Sequence, residues 1–442
     1  MTLLLLLAGL ALAGEDPYFD GLVALKAGEI ERAEALLEQA VEATPDRVEA
    51  WWELGWARWR QEDWAGVVAA WERVAVLAPD HPDLGEHLPT ARARAALAAA
   101  PAPGPVPVAE APSGGRTVTF AAGGDTMMGT ALRKGAAGLA EGNGEALFTG
   151  VDGWLRAADV AFLNLEGPLA DDLPQTKCGP NSKHCYAFST PTRYRAALVD
   201  MGVDVASLAN NHAMDLGMAG MESTMRTLDE VGIAHAGRYG DTAYLERDGL
   251  TIAVVAAHSG SCCLNVNDLD EVRAAVAQAD ANADLVVLSF HGGAEGADHR
   301  HVPGQVEIAW GERRGDVNAL AHAAVDAGAD LVLGHGPHVL RAMEVYRGRL
   351  VVYSMGNFCG YNQFGTEGGY GGTSMVVEAT LDENGALVRA TVHAVALDSL
   401  ARPRPDPTGA AHAQVNELSA ADFPETGVRV DPDGAVRWGA AR

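Results

Sequence analysis

Carboxylates, amides and imidazoles recur at one kind of place in this chain, the end of a short apolar run. Val118 to Ala122 leads into Gly123-Gly124-Asp125, Val160 to Leu163 into Asn164-Leu165-Glu166, and Val203 to Leu208 into Asn210-Asn211-His212 with Asp215 beyond. Leu285 to Phe290 is followed by His291 and then Glu295, and Leu331 to Leu333 by His335 and His338. Apolar runs of this length read as buried strands. In α/β sheets ligands bind outside the carboxyl ends of the strands, so side chains far apart in sequence can converge on one rim. Carboxylate, amide oxygen and imidazole together suit one or two Mn, Zn or Fe ions better than Ca or Mg, which favour all-oxygen shells. Glycine beside nearly every candidate lets the backbone turn sharply there. His258, His299 and His301 also lie near strand exits, but a lone histidine is more often a satisfied loop or core residue than a ligand, and they are not read as ligands.

The elements that would carry these residues form an α/β unit from Thr117 to about residue 400, in which short apolar runs alternate with helical stretches. A Pro-rich stretch at 99–116 reads as a linker, because it cannot pack and favours extended conformations. Ahead of it, Ala43-Thr44-Pro45-Asp46 recurs as Leu77-Ala78-Pro79-Asp80, an offset of 34 residues, which is the tetratricopeptide period. Each copy follows an apolar stripe of helical period, so residues 16–98 read as stacked helical hairpins closed by a capping helix. Their tryptophans read first as inter-helix core and only secondarily as a binding groove. Residues 1–13 have the short apolar run and small-residue ending of an export signal, though without a Lys or Arg before the run. The segment 401–442, rich in Pro and Asp, reads as a tail of undecided order.

Acidic residues outnumber basic ones 59 to 32, a net charge of -27, which argues against nucleic acid as a partner. The same charge repels a polyanionic substrate unless a local positive site, such as a bound metal, receives it. Of the five cysteines, Cys178 and Cys185 can close a small loop disulfide in an oxidising compartment; five buried or free thiols is the alternative.

Gly124-Asp125-Thr126-Met127-Met128-Gly129, Asn164-Leu165-Glu166, Ala209-Asn210-Asn211-His212 with Asp215, Gly334-His335-Gly336-Pro337-His338 and Tyr353-Ser354-Met355-Gly356-Asn357-Phe358 together resemble, in this order, the motifs of the CapA-like capsule-synthesis proteins. The resemblance implies a calcineurin-like metallophosphoesterase fold, a four-layer α-β-β-α sandwich. It implies Asp125 and Glu166 as carboxylate ligands of a divalent metal, with Asn211, His291, His335 and His338 completing the shells. His212 resembles the general acid of metallophosphoesterases. Asn210 and Glu295 are the candidate substrate-binding residues, a solvent-facing position being equally open for Glu295. Asp215 is expected to cap the following helix, orientation of His212 being the other option. Two departures stand out: Met127 occupies the place of the histidine in the Asp-x-His motif of the phosphoesterases, and Gly292 stands where many capsule-family members have Trp.

Three functions compete on these grounds. The first is an exported, metal-dependent hydrolase acting on a phosphoester or an amide-linked anionic polymer at the envelope. The second is a non-catalytic accessory to assembly or anchoring of a polymer such as poly-γ-glutamate, and in the third the tetratricopeptide unit docks a protein partner as the main business.

Overall fold

The computed structural model describes residues 16–99, 115–132, 138–173, 177–178, 185–362 and 370–439. The export signal expected at 1–13 and the Pro-rich body of the expected linker lie outside the described residues. The chain divides into two compact units at residue 100.

The first unit is helical, with helices Pro17–Ala27, Ile30–Ala43, Val48–Trp59, Trp64–Leu77 and Leu84–Ala99. Asp16 and Asp63 begin two of them by accepting backbone N–H groups of Tyr18 and Gly66, which would otherwise be orphaned at a helix start. Ala33, Leu37, Ala40 and Val41 bury the stripe of the second helix, and Val67, Ala70, Trp71 and Val74 that of the fourth. Trp71 is fully buried, stacked on Trp52 at 4.9 Å, and its Nε1–H donates to the Trp52 carbonyl at 3.1 Å. The tryptophans fill the space between helices.

The second unit is built on two sheets. The first runs, in spatial order, through Pro403–Pro405, Leu387–Leu397, Thr373–Asp382, Thr117–Met127, Val160–Leu165, Val205–Ser207 and Ala234–Ala236, with Asn357–Gly360 pairing off Thr117–Met127. The second runs through Met343–Tyr346, Arg349–Val352, Leu331–His335, Leu285–His291, Leu250–His258 and Ala243–Arg247. Phe120, Phe162 and Val377 of the first sheet share one core with Ile252, Val254, Val287 and Leu333 of the second. Ala161 and Leu163 point the other way, onto Leu155, Leu198, Met221 and Leu228 of helices Asp152–Arg156, Arg195–Asp200 and Gly217–Asp229. Helices Leu269–Asp280 and Val317–Asp326 cover the second sheet's outer face with Val272, Val276, Leu320 and Ala324 buried. The layers are therefore helix, sheet, sheet, helix, the α-β-β-α order expected.

The residues after 400 belong to this unit. Helix Ala410–Asp422 sinks Ala411 and Val415 into the core shared by the sheets, together with Val430 and Val436 of the terminal hairpin. Among the described residues no helix is long and apolar enough to cross a membrane.

Candidate metal centre

Strand parity aims the candidates at one another. Because side chains alternate along a strand, the register that places Val254, Val287 and Leu333 in the inter-sheet core also turns His258, His291 and His335 to that side, where they stand abreast on three parallel strands. Opposite them, Phe162 fixes Asn164 on the inner face of the first sheet. A register shift between Gly123 and Asp125 then brings Asp125 beside Asn164 and, on its other flank, beside Asn357. Only glycine fits at 124, since a Cβ there would lie 2.0 Å from the Gly356 carbonyl oxygen.

Asp125 is the hub. One oxygen accepts from Asn164 Nδ2 at 2.8 Å and lies 3.4 Å from His335 Nδ1 and 3.8 Å from His291 Nδ1. The other lies 3.0 Å from His338 Nδ1 and accepts the Gly336 N–H at 3.2 Å. Glu166 Oε1 is 3.7 Å from His338 Nε2 and 3.9 Å from His291 Nε2. Ligand atoms of Asp125, Glu166 and His338 all lie within 4.8 Å of one another. Both oxygens of Glu166, both ring nitrogens of His335 and Nε2 of His291 are buried without a hydrogen-bond partner.

The charges in this space are frustrated without a cation. Burial pushes the Glu166 carboxyl up to about 8, with Asp125 adding to the rise and His338 opposing it. Burial works against a charged His338, yet Glu166 and Asp125 overcome it and raise the imidazole to about 10. Burial likewise resists ionisation of Asp125, but the imidazoles of His335 and His338, 3.4 and 3.0 Å from its oxygens, hold its carboxyl well below the usual range. Burial drives His291 far down and His258 to about 3, so both rings are neutral and keep a lone pair for a metal.

The remaining candidates are not among these contacts. His212 Nδ1 lies 2.8 Å from Asp215 Oδ2, and burial lowers the imidazole pKa against the pull of that carboxylate. Asp215 therefore orients the histidine; helix Gly217–Asp229 starts without a side-chain cap. The Oδ1 atom of Asn211 is buried without a hydrogen-bond partner. Asn210, expected to meet substrate, is turned into the fold: its amide donates to Asn164 Oδ1 at 3.1 Å and Leu165 O at 2.9 Å and accepts the His212 N–H at 3.1 Å. It braces Asn164, and so Asp125. Glu295, also expected at substrate, accepts from Arg314 Nη2 at 2.6 Å and from Trp310 Nε1 at 3.1 Å, tying down the hairpin Glu307–Gly315. Its carboxylate is spent on that hairpin. Met127 is buried, and its sulfur accepts the Gly129 N–H at 3.0 Å.

His258, not read as a ligand, and Asn164, given no role of its own, stand beside His291 in the structure. His258 is 3% exposed and its Nδ1 lies 3.1 Å from the His291 carbonyl. A strand-final histidine matching those that end the two neighbouring runs was the available signal. Asn357 holds the His338 loop: its Oδ1 is 2.9 Å from His338 Nδ1, and its amide donates to the His338 carbonyl at 3.4 Å.

The family model for bacterial capsule synthesis protein PGA_cap matches residues 119–362, which contain every candidate ligand. The chain belongs to this family. A tetratricopeptide repeat model matches residues 21–82. Among curated relatives, the PGA biosynthesis protein CapA of Bacillus subtilis (strain 168) is 31% identical over 253 residues, covering 53% of this chain and 61% of the relative. The capsule biosynthesis protein CapA of Bacillus anthracis is 29% identical over 257 residues, covering 53% and 58%. A probable polyglutamine synthesis accessory protein of Mycobacterium tuberculosis (strain ATCC 25618 / H37Rv) is 28% identical over 230 residues, covering 46% and 55%. The chain thus spans between half and two thirds of the length of these relatives. Among solved structures, the 5'-nucleotidase precursor from Thermus thermophilus aligns with 70% of this chain and 60% of its own, at 14% identity and a TM-score of 0.34.

Proposed function

We propose that this PGA_cap protein is exported and that its second unit is a metal-dependent hydrolase domain, acting at the envelope on a phosphoester or on the linkages of an anionic polymer such as poly-γ-glutamate. The observation that carries this reading is the gathering of Asp125, Glu166 and His338 within 4.8 Å, among buried carboxylate and imidazole atoms that have no hydrogen-bond partner. Leaving such a group unsatisfied costs on the order of 1–3 kcal/mol, more when it is charged. A divalent cation relieves that cost, and the donor set fits Mn, Zn or Fe.

Asp125, Glu166 and His338 would hold the ion, with His291, His335 and Asn211 completing its shell. When bound, the ion supplies Lewis acidity, lowers the pKa of water, and gives a chain of charge -27 a positive point at which to meet a polyanion. Asn164, braced by Asn210, sets the angle of Asp125. His212, held through Nδ1 by Asp215, keeps Nε2 for the mobile proton; because burial disfavours its charged form, an imidazolium there gives that proton readily to a leaving oxygen. The Cys178–Cys185 disulfide, present in the structure, supports an oxidising compartment. The tetratricopeptide unit is the natural dock for a protein partner.

One observation favours the accessory reading instead. Met127 turns its sulfur to a backbone N–H, so the position that is a ligand in phosphoesterases offers none here. The deciding experiment measures metal by plasma mass spectrometry on the full chain and hydrolysis of bis(p-nitrophenyl) phosphate with Mn. The enzyme reading expects bound ion and a drop in kcat of about 10²- to 10⁴-fold in His212→Ala at unchanged metal content. A chain that takes up no ion after reconstitution is an accessory protein.

A further inference from the structure

His212 sits in no regular element. It lies in the turns between strand Val205–Ser207 and helix Gly217–Asp229, so its imidazole must be held from outside. Two segments close on it. On one side Lys177 donates its backbone N–H to the Asp215 carbonyl at 3.2 Å, places its ammonium 2.9 Å from Asp215 Oδ1, and donates from Nζ to the Asn211 carbonyl at 2.8 Å. On the other side the Phe188 N–H donates at 2.6 Å to Asp215 Oδ2, the oxygen that faces His212 Nδ1, and the Phe188 ring lies 4.2 Å from the imidazole between centroids. Lys177 directly precedes Cys178, Phe188 closely follows Cys185, and the two cysteines are bonded to each other.

We propose that the Cys178–Cys185 disulfide is the positioning clamp of the general acid. It fixes Lys177 at one oxygen of Asp215 and Phe188 at the other, so that the oxidised chain holds the imidazole in the tautomer and direction that proton transfer needs. The assignment of a proton-transfer role to His212 rests on the hydrolase reading above; the clamping of Asp215 does not. The physical reason is entropic. A lysine stem has many conformations, and three hydrogen bonds and one ion pair must order it together with the backbone at Phe188. A cross-link between the residue after Lys177 and Cys185 restricts both ends beforehand. Without it Asp215 loses the hold of Lys177 and Phe188, and the ring it steers is free to turn. Lys177 and Phe188 are on this view positioning residues, acting through Asp215.

The test uses the full chain with Cys178→Ser and Cys185→Ser together, and separately Lys177→Met, which keeps the disulfide. Backbone amide exchange is followed at Phe188 and, as a folding control, in strand Leu285–His291. Loss of the disulfide is expected to speed exchange at Phe188 by roughly tenfold or more while the strand stays protected. With Mn and bis(p-nitrophenyl) phosphate, kcat is expected to fall by about 10- to 100-fold with KM nearly unchanged, as when a group orienting a catalytic residue is removed. Lys177→Met should lower kcat in the same way, and it decides the matter if the double variant also loses protection in the control strand. Unchanged exchange at Phe188 overturns the clamp whatever the kinetics. Faster exchange with full kcat overturns the positioning role. A wild-type chain that binds metal and hydrolyses nothing sinks the hydrolase reading alone, and exchange at Phe188 still decides the clamp.

Discussion

Glu166 is the residue whose state most directly reports on the cation. Its carboxylate is buried and neither oxygen has a hydrogen-bond partner, while Asp125 adds a second negative charge nearby. In a metal-free chain this is a liability, and Glu166→Gln relieves it. The variant should be more stable than the wild type in EDTA, by about 1–3 kcal/mol, seen as a rise in melting temperature. Adding Mn should raise the melting temperature of the wild type by mass action and leave that of the variant almost unmoved. A wild type insensitive to both EDTA and Mn would show that the cluster is ordinary core polarity. His338 carries a second residue-scale argument. It has a positive φ of 59°, a left-handed conformation that a residue with a Cβ adopts only when its surroundings insist. Asn357 supplies that insistence through two hydrogen bonds. Asn357→Ala should therefore weaken metal retention about 10- to 100-fold in a chelator competition assay, although Asn357 is not among the proposed ligands.

At the scale of elements, the site is a set of strand ends pressed together, and glycine is what permits the approach. A Cβ on Gly334 would stand 2.3 Å from the Tyr353 carbonyl oxygen and 2.6 Å from the Phe290 ring. Gly334→Ala must then push strand Leu331–His335 away from its neighbour and carry His335 with it. The expected cost is about 1–3 kcal/mol in urea unfolding, with loss of metal in the still-folded fraction; a variant that keeps its metal would mean the strand ends are looser than this packing implies. The same strand logic explains what could be read beforehand. Apolar runs ending in ligand-type residues are a local pattern, so Asp125, Glu166, His291, His335 and His338 stand out as candidates in the sequence itself, as does the helical repeat from its 34-residue offset. Which of two adjacent asparagines turns into the fold is not local. Asn210 turned inward because Asn164, in another strand, needed a brace. Glu295 was taken by Arg314, across a hairpin whose existence no short motif announces. Asp215 had an ordinary capping role available and was captured by His212 instead, a choice made by the segments that bring Lys177 and Phe188 against it.

At the scale of the whole second unit, the chain beyond residue 400 completes the core. Ser419 Oγ accepts the Met343 N–H at 2.9 Å, and the Val345 N–H donates to the Thr426 carbonyl at 2.9 Å, so the last segment is bonded to strand Met343–Tyr346. The centre of that junction is Glu344, a carboxylate only 1% exposed. It is held by His322 Nε2 and the Tyr353 hydroxyl, each at 2.7 Å, and by the Thr426 hydroxyl. Burial alone would raise its pKa, but those hydrogen bonds outweigh burial and leave it below its ordinary value of 4.5. A carboxyl whose folded pKa is depressed binds fewer protons in the native state than in the unfolded one. Its stabilisation is thus fully present above the unfolded value of 4.5 and is lost as pH falls through the lower folded value. Glu344→Gln removes the charge and keeps the shape, so at pH 7 it should cost about 1.5–3 kcal/mol, the range for hydrogen bonds to an ionised group. The difference between wild type and variant should shrink as pH falls below 4.5 and through the lower folded value, as protonation makes the native glutamate resemble the amide. Urea midpoints for both chains across that interval measure it. A gap that stays constant down to pH 3 would mean that the charge of Glu344 contributes nothing, and that the C-terminal segment is held by apolar burial of Ala411, Val415 and Val430 alone.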